Sequence, residues 1–246
     1  MLRLVTIYTM PTAGRLGMSR KILFIIVEGE SDYDALGVIF DGWFTGNDVQ
    51  VEIIGGDITS DYMSSSSNIV NYVTEKVKTR MRQLGKALRR NDIERVIHIV
   101  DTDGAFVPDS CVCEDKAHRG GPVYTPSQII ANPSSDICGR NRKKKANLLR
   151  LSRAATIWKS IPYSVYYMSC NMDHVLHDKQ NNPQKNKIKD ARAFARRYMD
   201  DLKGFASFIN APDIAVEGDY SETWQFISGG THSLERHTNL GLCFQA

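Results

Sequence analysis

Two apolar runs in this chain each end in a short acidic cluster. Ile22-Leu23-Phe24-Ile25-Ile26-Val27 stops at Glu28-Gly29-Glu30-Ser31-Asp32, and Val96-Ile97-His98-Ile99-Val100 stops at Asp101-Thr102-Asp103-Gly104. Runs of this kind read as parallel strands buried on both faces, and ligands bind open α/β sheets at the carboxyl ends of such strands. An all-oxygen ligand set suits Mg²⁺ or Mn²⁺. Alternate residues of a strand share a side, so Asp101 and Asp103 are expected to approach one cation, with Glu28 as a further ligand or a general base. A metal held there would activate water, orient a phosphodiester and neutralise developing charge. Gly29 and Gly104 fit a backbone that passes close to a phosphate. Acids at strand ends also cap helices and solvate turns; the pairing of two such ends favours the metal.

The complementary feature is basic. Arg140, Arg142, Lys143, Lys144, Lys145, Arg150 and Arg153 follow one another without an acid between them. The first six are candidate nucleic-acid contacts, and Lys143 to Lys145 are suited to stabilising charge on a phosphorus centre. A solvated charged face is the plainer reading of such a run. Asp173 follows the apolar run Tyr163 to Met168 and is a candidate for a second metal site, against ordinary helix capping. His174 and His177 can share a helix face and are read as ordinary histidines on a partly exposed helix. Cys111, Cys113, His118 and Cys138 could hold zinc, but the Cys-x-Cys gap is tighter than usual, so free thiols are expected.

The elements that must position these residues follow from periodicity. Ser31 can cap a helix starting near Asp32, whose residues Leu36, Ile39, Phe40 and Trp43 would face a sheet. Thr45 to Asp48 reads as a turn. A second strand through Val49, Val51, Ile53 and Ile54 ends at Gly55-Gly56. Asp57 to Asn68 is a polar, serine-rich segment, read as a solvated loop or a lid. Val70, Val73, Val77, Met81, Leu84 and Leu88 mark an amphipathic helix, with Lys76, Arg80, Arg82, Lys86, Arg89 and Arg90 on its other face. A third strand, 95–100, precedes a long irregular connection, 105–139. Leu148, Leu149, Leu151 and Ile157 predict a helix in the second half of the basic segment. A fourth strand, 163–168, a polar linker, 178–187, a helix, 188–202, and a short helix near 222–227 complete the pattern.

Composition sets wider bounds. The chain has 246 residues, 42% hydrophobic and 24% charged, with a formal net charge of +3. This describes an ordinary globular α/β protein in which charge distribution, not net charge, must argue for nucleic acid. The apolar run Ile22 to Val27 is far shorter than the roughly 20 residues of a membrane span, so no membrane partner is expected. Five cysteines without a disulfide-like framework point to a reducing, cytoplasmic setting.

The pattern Val27-Glu28-Gly29-Glu30-Ser31-Asp32 with Asp101-Thr102-Asp103 resembles the TOPRIM domain, the metal-binding module of topoisomerases, primases and several nucleases. The resemblance covers residues 20–175. It is nearest to the nuclease branch related to the overcoming-lysogenization-defect (OLD) family and small abortive-infection proteins. It implies a Rossmann-like, mostly parallel sheet flanked by helices. Residues 1–18 would be a disordered extension, 19–177 the catalytic domain and 178–246 a helical C-terminal extension. It further implies a Mg²⁺- or Mn²⁺-dependent nuclease acting on DNA or RNA. Glu28, Asp101 and Asp103 would be catalytic, and the metal would be held by Glu28, Asp32, Asp101, Asp103 and, as the weaker candidate, Asp173. An antiviral, toxin-like role in abortive infection follows from the same resemblance. The sequence contains no Gly-x-x-x-x-Gly-Lys-Ser/Thr motif, so an ATPase of the OLD kind would be a separate partner. A homo-oligomer is compatible. The alternative is a non-catalytic or partner-activated nucleic-acid-binding module with a structural metal.

Overall fold

The structure, a computed structural model, describes residues 21–44, 48–53, 57–83 and 89–245. The expected N-terminal extension, the turn at 45–47, the Gly55-Gly56 pair, Lys86, and Leu84 and Leu88 of the amphipathic helix lie outside those residues.

The chain begins β1 (Ile22–Val27), α1 (Glu30–Trp43), β2 (Asp48–Ile53), α2 (Ile69–Gln83) and β3 (Ile93–Asp101). Three short strands follow: β4 (Val112–Glu114), β5 (Val123–Tyr124) and β6 (Ile129–Ala131). Next come α3 (Ser134–Ser152), β7 (Thr156–Ile157) and β8 (Ile161–Met168). The last elements are α4 (Met172–His177), α5 (Gln184–Tyr198), α6 (Leu202–Ile209) and α7 (Tyr220–Ile227). The five-stranded sheet has the order β2-β1-β3-β8-β7. Its first four strands run parallel, and β7 closes the edge antiparallel to β8. This is an α/β fold with helices on both faces of the sheet.

Strand alternation divides the core in two. Leu23, Ile25 and Val27 of β1 pack with Ile97, Ile99, α1, α5 and α6. Phe24 and Ile26 point the other way, into a cluster with Val96, Val100, Val165, Tyr167 and residues of α2, α3 and α7. Every residue of β1 is buried, as a strand covered on both faces requires.

Several elements differ from the sequence expectation. Helix α1 starts at Glu30, two residues early, because Asp32 accepts a hydrogen bond from the Gly29 amide at 2.9 Å and closes the first turn itself. The connection 105–139 is irregular only in part, and its residues from Ser134 onward belong to α3. It folds into a three-stranded sheet, β4-β6-β5, over its own small core of Val107, Val112, Tyr124, Ile129, Cys170 and Leu234. Helix α3 carries the basic segment from Arg140 to Arg150 and ends just before Arg153, and Ile157 lies in β7 instead. Leu202 starts α6 and does not end α5, because Asp201 caps a new helix by accepting from the Gly204 amide at 2.8 Å.

The segment 178–246 is not appended to a finished domain. Phe194, Tyr198, Phe205 and Phe244 are buried in the cluster that covers one face of β1 and β3, and Trp224 and Ile227 sit in the cluster on the other face. The Phe205 ring is fully buried and meets Phe244 edge-on at 5.3 Å. Phe205→Ala should therefore destabilise the whole protein by about 3–5 kcal/mol, read as a lower urea midpoint at unchanged slope. A loss below about 1 kcal/mol would mean that the C-terminal helices do not share the sheet's core.

Candidate functional site

In the order β2-β1-β3-β8 the chain leaves β1 for one side and later returns to the other. The crevice between the carboxyl ends of β1 and β3 is thus the switch point of the sheet, where ligands bind in folds of this kind. Glu28 follows β1 and Asp101 ends β3. The two strand ends are close enough that the Asp101 amide donates to Glu28 Oε1 at 3.4 Å.

At the centre of the crevice is Lys144, whose side chain is fully buried. Its ammonium donates to Asp57 Oδ2 at 2.6 Å and to Asp103 Oδ2 in a second short ion pair. Asp57 is not singled out by the sequence. It follows β2 at the same carboxyl edge as Glu28, which is the one signal that could have marked it. Its other oxygen accepts from the Thr59 amide at 2.8 Å and the Ser60 amide at 3.3 Å. The segment 57–68 is accordingly no free lid. Ile58, Thr59 and Ser64 are buried, and Asn147 of α3 donates to Thr59 O at 2.7 Å and Ser64 Oγ at 3.0 Å.

Asp103 does not share a strand face with Asp101. The strand stops at Asp101, and Asp103 takes a left-handed φ of 49°, so period-two alternation no longer applies. Asp101 Oδ1 accepts from the Met172 amide at 2.9 Å on the α1 side, while Asp103 turns to Lys144 on the α3 side. The turn is held from several directions. The Asp103 amide donates to Cys170 O at 2.7 Å, Thr102 Oγ1 to Ser233 O at 3.0 Å, and Arg140 Nη2 to Asp103 O at 2.7 Å. Gly104 has φ +65°, and a Cβ there would lie 2.6 Å from Leu234 Cδ2 and 2.9 Å from Ile129 Cδ1. Packing and backbone conformation therefore explain this glycine without a phosphate. A Cβ on Gly29 would meet only ordinary contacts.

The electrostatics are unbalanced. Desolvation raises the Glu28 pKa well above the ordinary carboxylate value. The nearby charges of Asp57, Asp101 and Asp103 add to this, and Lys144 only partly offsets it. Asp101 is likewise raised, by burial and then by Asp32 and Asp103. Burial pushes Asp32 up to about 6, with the charge of Asp173 contributing. Asp57 goes the opposite way. Burial alone would raise it, but the charge and hydrogen bond of Lys144 hold it well below the usual range. Burial would lower Lys144, yet Asp103, Asp57 and Glu28 together raise it, so it stays an ammonium. Beneath the site, His98 bonds Tyr163 Oη at 2.8 Å, and burial holds its pKa down to about 3; it is neutral.

The remaining predicted residues divide. Asp173 is buried on α4, paired with Lys187 at 2.9 Å and accepting from Asn182 at 2.7 Å; Asn171, not Asp173, caps that helix. His174 and His177 are not exposed, and His177 meets Phe194 edge-on. The basic run does not present one charged face. Lys144 points inward, which removes it as a surface phosphate contact, and Arg140 is tied to Asp103 and to Tyr124 Oη at 2.9 Å. Lys143 donates to Asp61 O at 3.0 Å. Arg142, Lys145, Arg150 and Arg153 are exposed. A helix turning 100° per residue through the run makes this division unavoidable.

Among the described residues no group of three or more His, Cys, Asp or Glu side chains is arranged so that it could hold a metal ion. Cys111, Cys113 and Cys138 are free thiols. The chemistry of the donor set nevertheless fits a hard cation. Glu28, Asp101 and Asp32 are carboxylates held protonation-prone by burial and by one another, and a divalent ion would relieve that. No protein-family model, no curated protein and no solved structure compared with the chain matches it.

Two outcomes follow. Lys144→Met leaves Asp57 and Asp103 without their cation and should destabilise by about 3–5 kcal/mol at neutral pH, with a smaller loss at low pH where Asp57 is protonated. An unchanged urea midpoint would show that the buried pair does not form. Asp32, raised when folded, binds its proton more tightly there than in the unfolded chain. Its contribution is full at low pH and is lost as pH rises through about 6. Asp32→Asn should remove that dependence, so the stability of the variant relative to wild type rises between pH 4 and 7 in parallel melts. A pH-independent difference would contradict the shift.

Proposed function

We propose that the chain is a TOPRIM-like, Mg²⁺- or Mn²⁺-dependent phosphodiesterase that cleaves DNA or RNA. The observation that carries this reading is the convergence of Glu28 and Asp101, both raised in pKa, at the switch point between two parallel strands. A mostly parallel sheet with helices on both faces supports the reading at the level of an α/β fold.

Glu28 and Asp101, with Asp32 on the α1 side, would hold the metal, and Asp103 and Asp173 would join only on leaving Lys144 and Lys187. When bound, a divalent ion supplies a polarised water and a counter-charge to the phosphoryl oxygens. Glu28, ionised once the cation is bound, would either ligate that ion or accept a proton from the attacking water. Lys144 fixes Asp103 and Asp57, and Arg140 fixes the backbone of the Asp103 turn. Arg142, Lys145 and Arg150 offer exposed charge to the polyphosphate backbone. A role as a defence effector belongs to the same proposal.

One observation favours a partner-activated form of this site. The ammonium of Lys144 already pairs with Asp57 and Asp103, so a metal first held at Glu28 and Asp101 would gain Asp103 only after a change that draws α3 away.

The test is cleavage of supercoiled DNA, single-stranded DNA and transfer RNA with Mg²⁺, Mn²⁺ or EDTA. Metal-dependent cleavage should fall on the order of 10²-fold or more in Glu28→Ala and Asp101→Ala, with melting curves showing both variants folded. Mn²⁺ binding without cleavage would favour the partner-activated form. Neither binding nor cleavage would end the metal-site reading.

A further inference from the structure

The loop that delivers Asp57 to Lys144 carries the most exposed large apolar side chains among the described residues. Tyr62 is 86% exposed and Met63 57%, while Ile58, Thr59 and Ser64 of the same loop are buried. Among the described residues the Tyr62 ring packs on no other ring and its hydroxyl makes no hydrogen bond.

The ring nevertheless stands on a fixed base. Asp61 Oδ2 accepts from Tyr72 Oη at 2.7 Å and Asp61 Oδ1 from the Met63 amide at 2.8 Å. Asp61 O accepts from the Ser64 amide at 2.9 Å and from Lys143 Nζ at 3.0 Å. A tyrosine presented in this way offers a flat face with little conformational entropy to lose on contact. Its place is the rim of the carboxylate crevice. Of two successive residues of α3, Lys144 reaches Asp57 at the start of the loop and Lys143 reaches Asp61.

The surroundings of the ring are basic. Among the described residues neither Lys76 nor Lys143 has a carboxylate at ion-pair distance. The Lys76 ammonium lies 5.0 Å from the centre of the Tyr72 ring, and Tyr72 and Tyr62 are close enough to interact electrostatically. The Asp61 carboxylate is near both lysines, but its oxygens already hold the loop, and two ammonium groups outweigh it. An open aromatic face beside ammonium groups suits a base and its phosphate. Inside a duplex both faces of each base are covered by the stack. A ring that stands clear of the surface can therefore stack only on an unpaired base.

We infer that Tyr62 is a stacking platform for an unpaired base, with the phosphates beside Lys76 and Lys143, and that the crevice takes a single strand. The strand's role as substrate rests on the proposed phosphodiesterase activity; its binding does not. DNA and RNA both meet the platform, since every base has a π-face.

The test is fluorescence anisotropy with the full chain in EDTA, which keeps a metal and cleavage out of the measurement. The probes are labelled oligothymidylate and oligouridylate, with a relaxed circular duplex, which has no ends to stack on, as competitor. The strands should bind more tightly per nucleotide than the duplex, and the tighter of the two names the preferred sugar. Tyr62→Ala should weaken strand binding on the order of tenfold and leave the duplex unchanged. Tyr62→Trp, which keeps a flat ring, should bind the strand at least as well as wild type. Lys76→Gln should weaken strand binding and flatten its salt dependence. Tyr62 is exposed, so its variants should fold, which melting curves check. No strand binding, a strand affinity unchanged in Tyr62→Ala or in Lys76→Gln, an equal loss for strand and duplex in Tyr62→Ala, or loss of strand binding in Tyr62→Trp would each overturn the inference. The two readings fail separately. Strand binding of the expected pattern without cleavage of any substrate removes the phosphodiesterase and keeps the platform, whereas metal-dependent cleavage with binding indifferent to Tyr62→Ala does the reverse.

Discussion

A lysine ammonium buried among carboxylates is the interaction on which the site is built. Removing such a charge from water costs several kcal/mol unless it is paired and hydrogen-bonded. Lys144 meets that requirement only because two loops from different parts of the chain deliver Asp57 and Asp103 to it. The dependence runs both ways. Without the ammonium, those loops would hold carboxylates crowded against Glu28 and Asp101. The loop after β2, the turn after β3 and helix α3 are therefore one electrostatic unit, although 87 residues separate Lys144 from Asp57.

That unit leaves a surplus of acid. Lys144 satisfies Asp57 and Asp103, and Lys187 satisfies Asp173, but Glu28, Asp32 and Asp101 have raised proton affinities. A structural salt-bridge network would be expected to balance its charges; carboxylates perturbed by burial and by one another cluster at functional sites. The surplus sits where parallel strands diverge, the place in an α/β sheet where backbone leaves room for a ligand.

The C-terminal third of the chain completes this arrangement. Ser233 O receives the Thr102 hydroxyl across 131 residues of sequence, and Leu234 packs so closely on Gly104 that no Cβ fits between them. Arg236 reaches back to the carbonyl oxygens of His174 and Val175. With Phe205 and Phe244 in the core of β1, these contacts make the last segment part of the shape of the site as well as its cover.

The sequence by itself determined the strands and the acids at their ends. A run of only six apolar residues, rich in Ile and Val and closed by Glu28-Gly29, is too short for a buried helix and reads as an inner strand. That puts the carboxylates that close it at the carboxyl ends of the strands. Period and composition likewise marked α1, α2 and α7. They did not mark the small sheet β4-β6-β5, whose two- and three-residue strands are too short to show alternation. Only the tertiary structure decided the direction of each basic residue in α3, the partnership of Asp57 with Lys144, and the parting of Asp103 from Asp101. A strand rule holds only as far as the strand, and a left-handed turn set by Cys170, Ser233 and Leu234 is a long-range contact that no local pattern encodes.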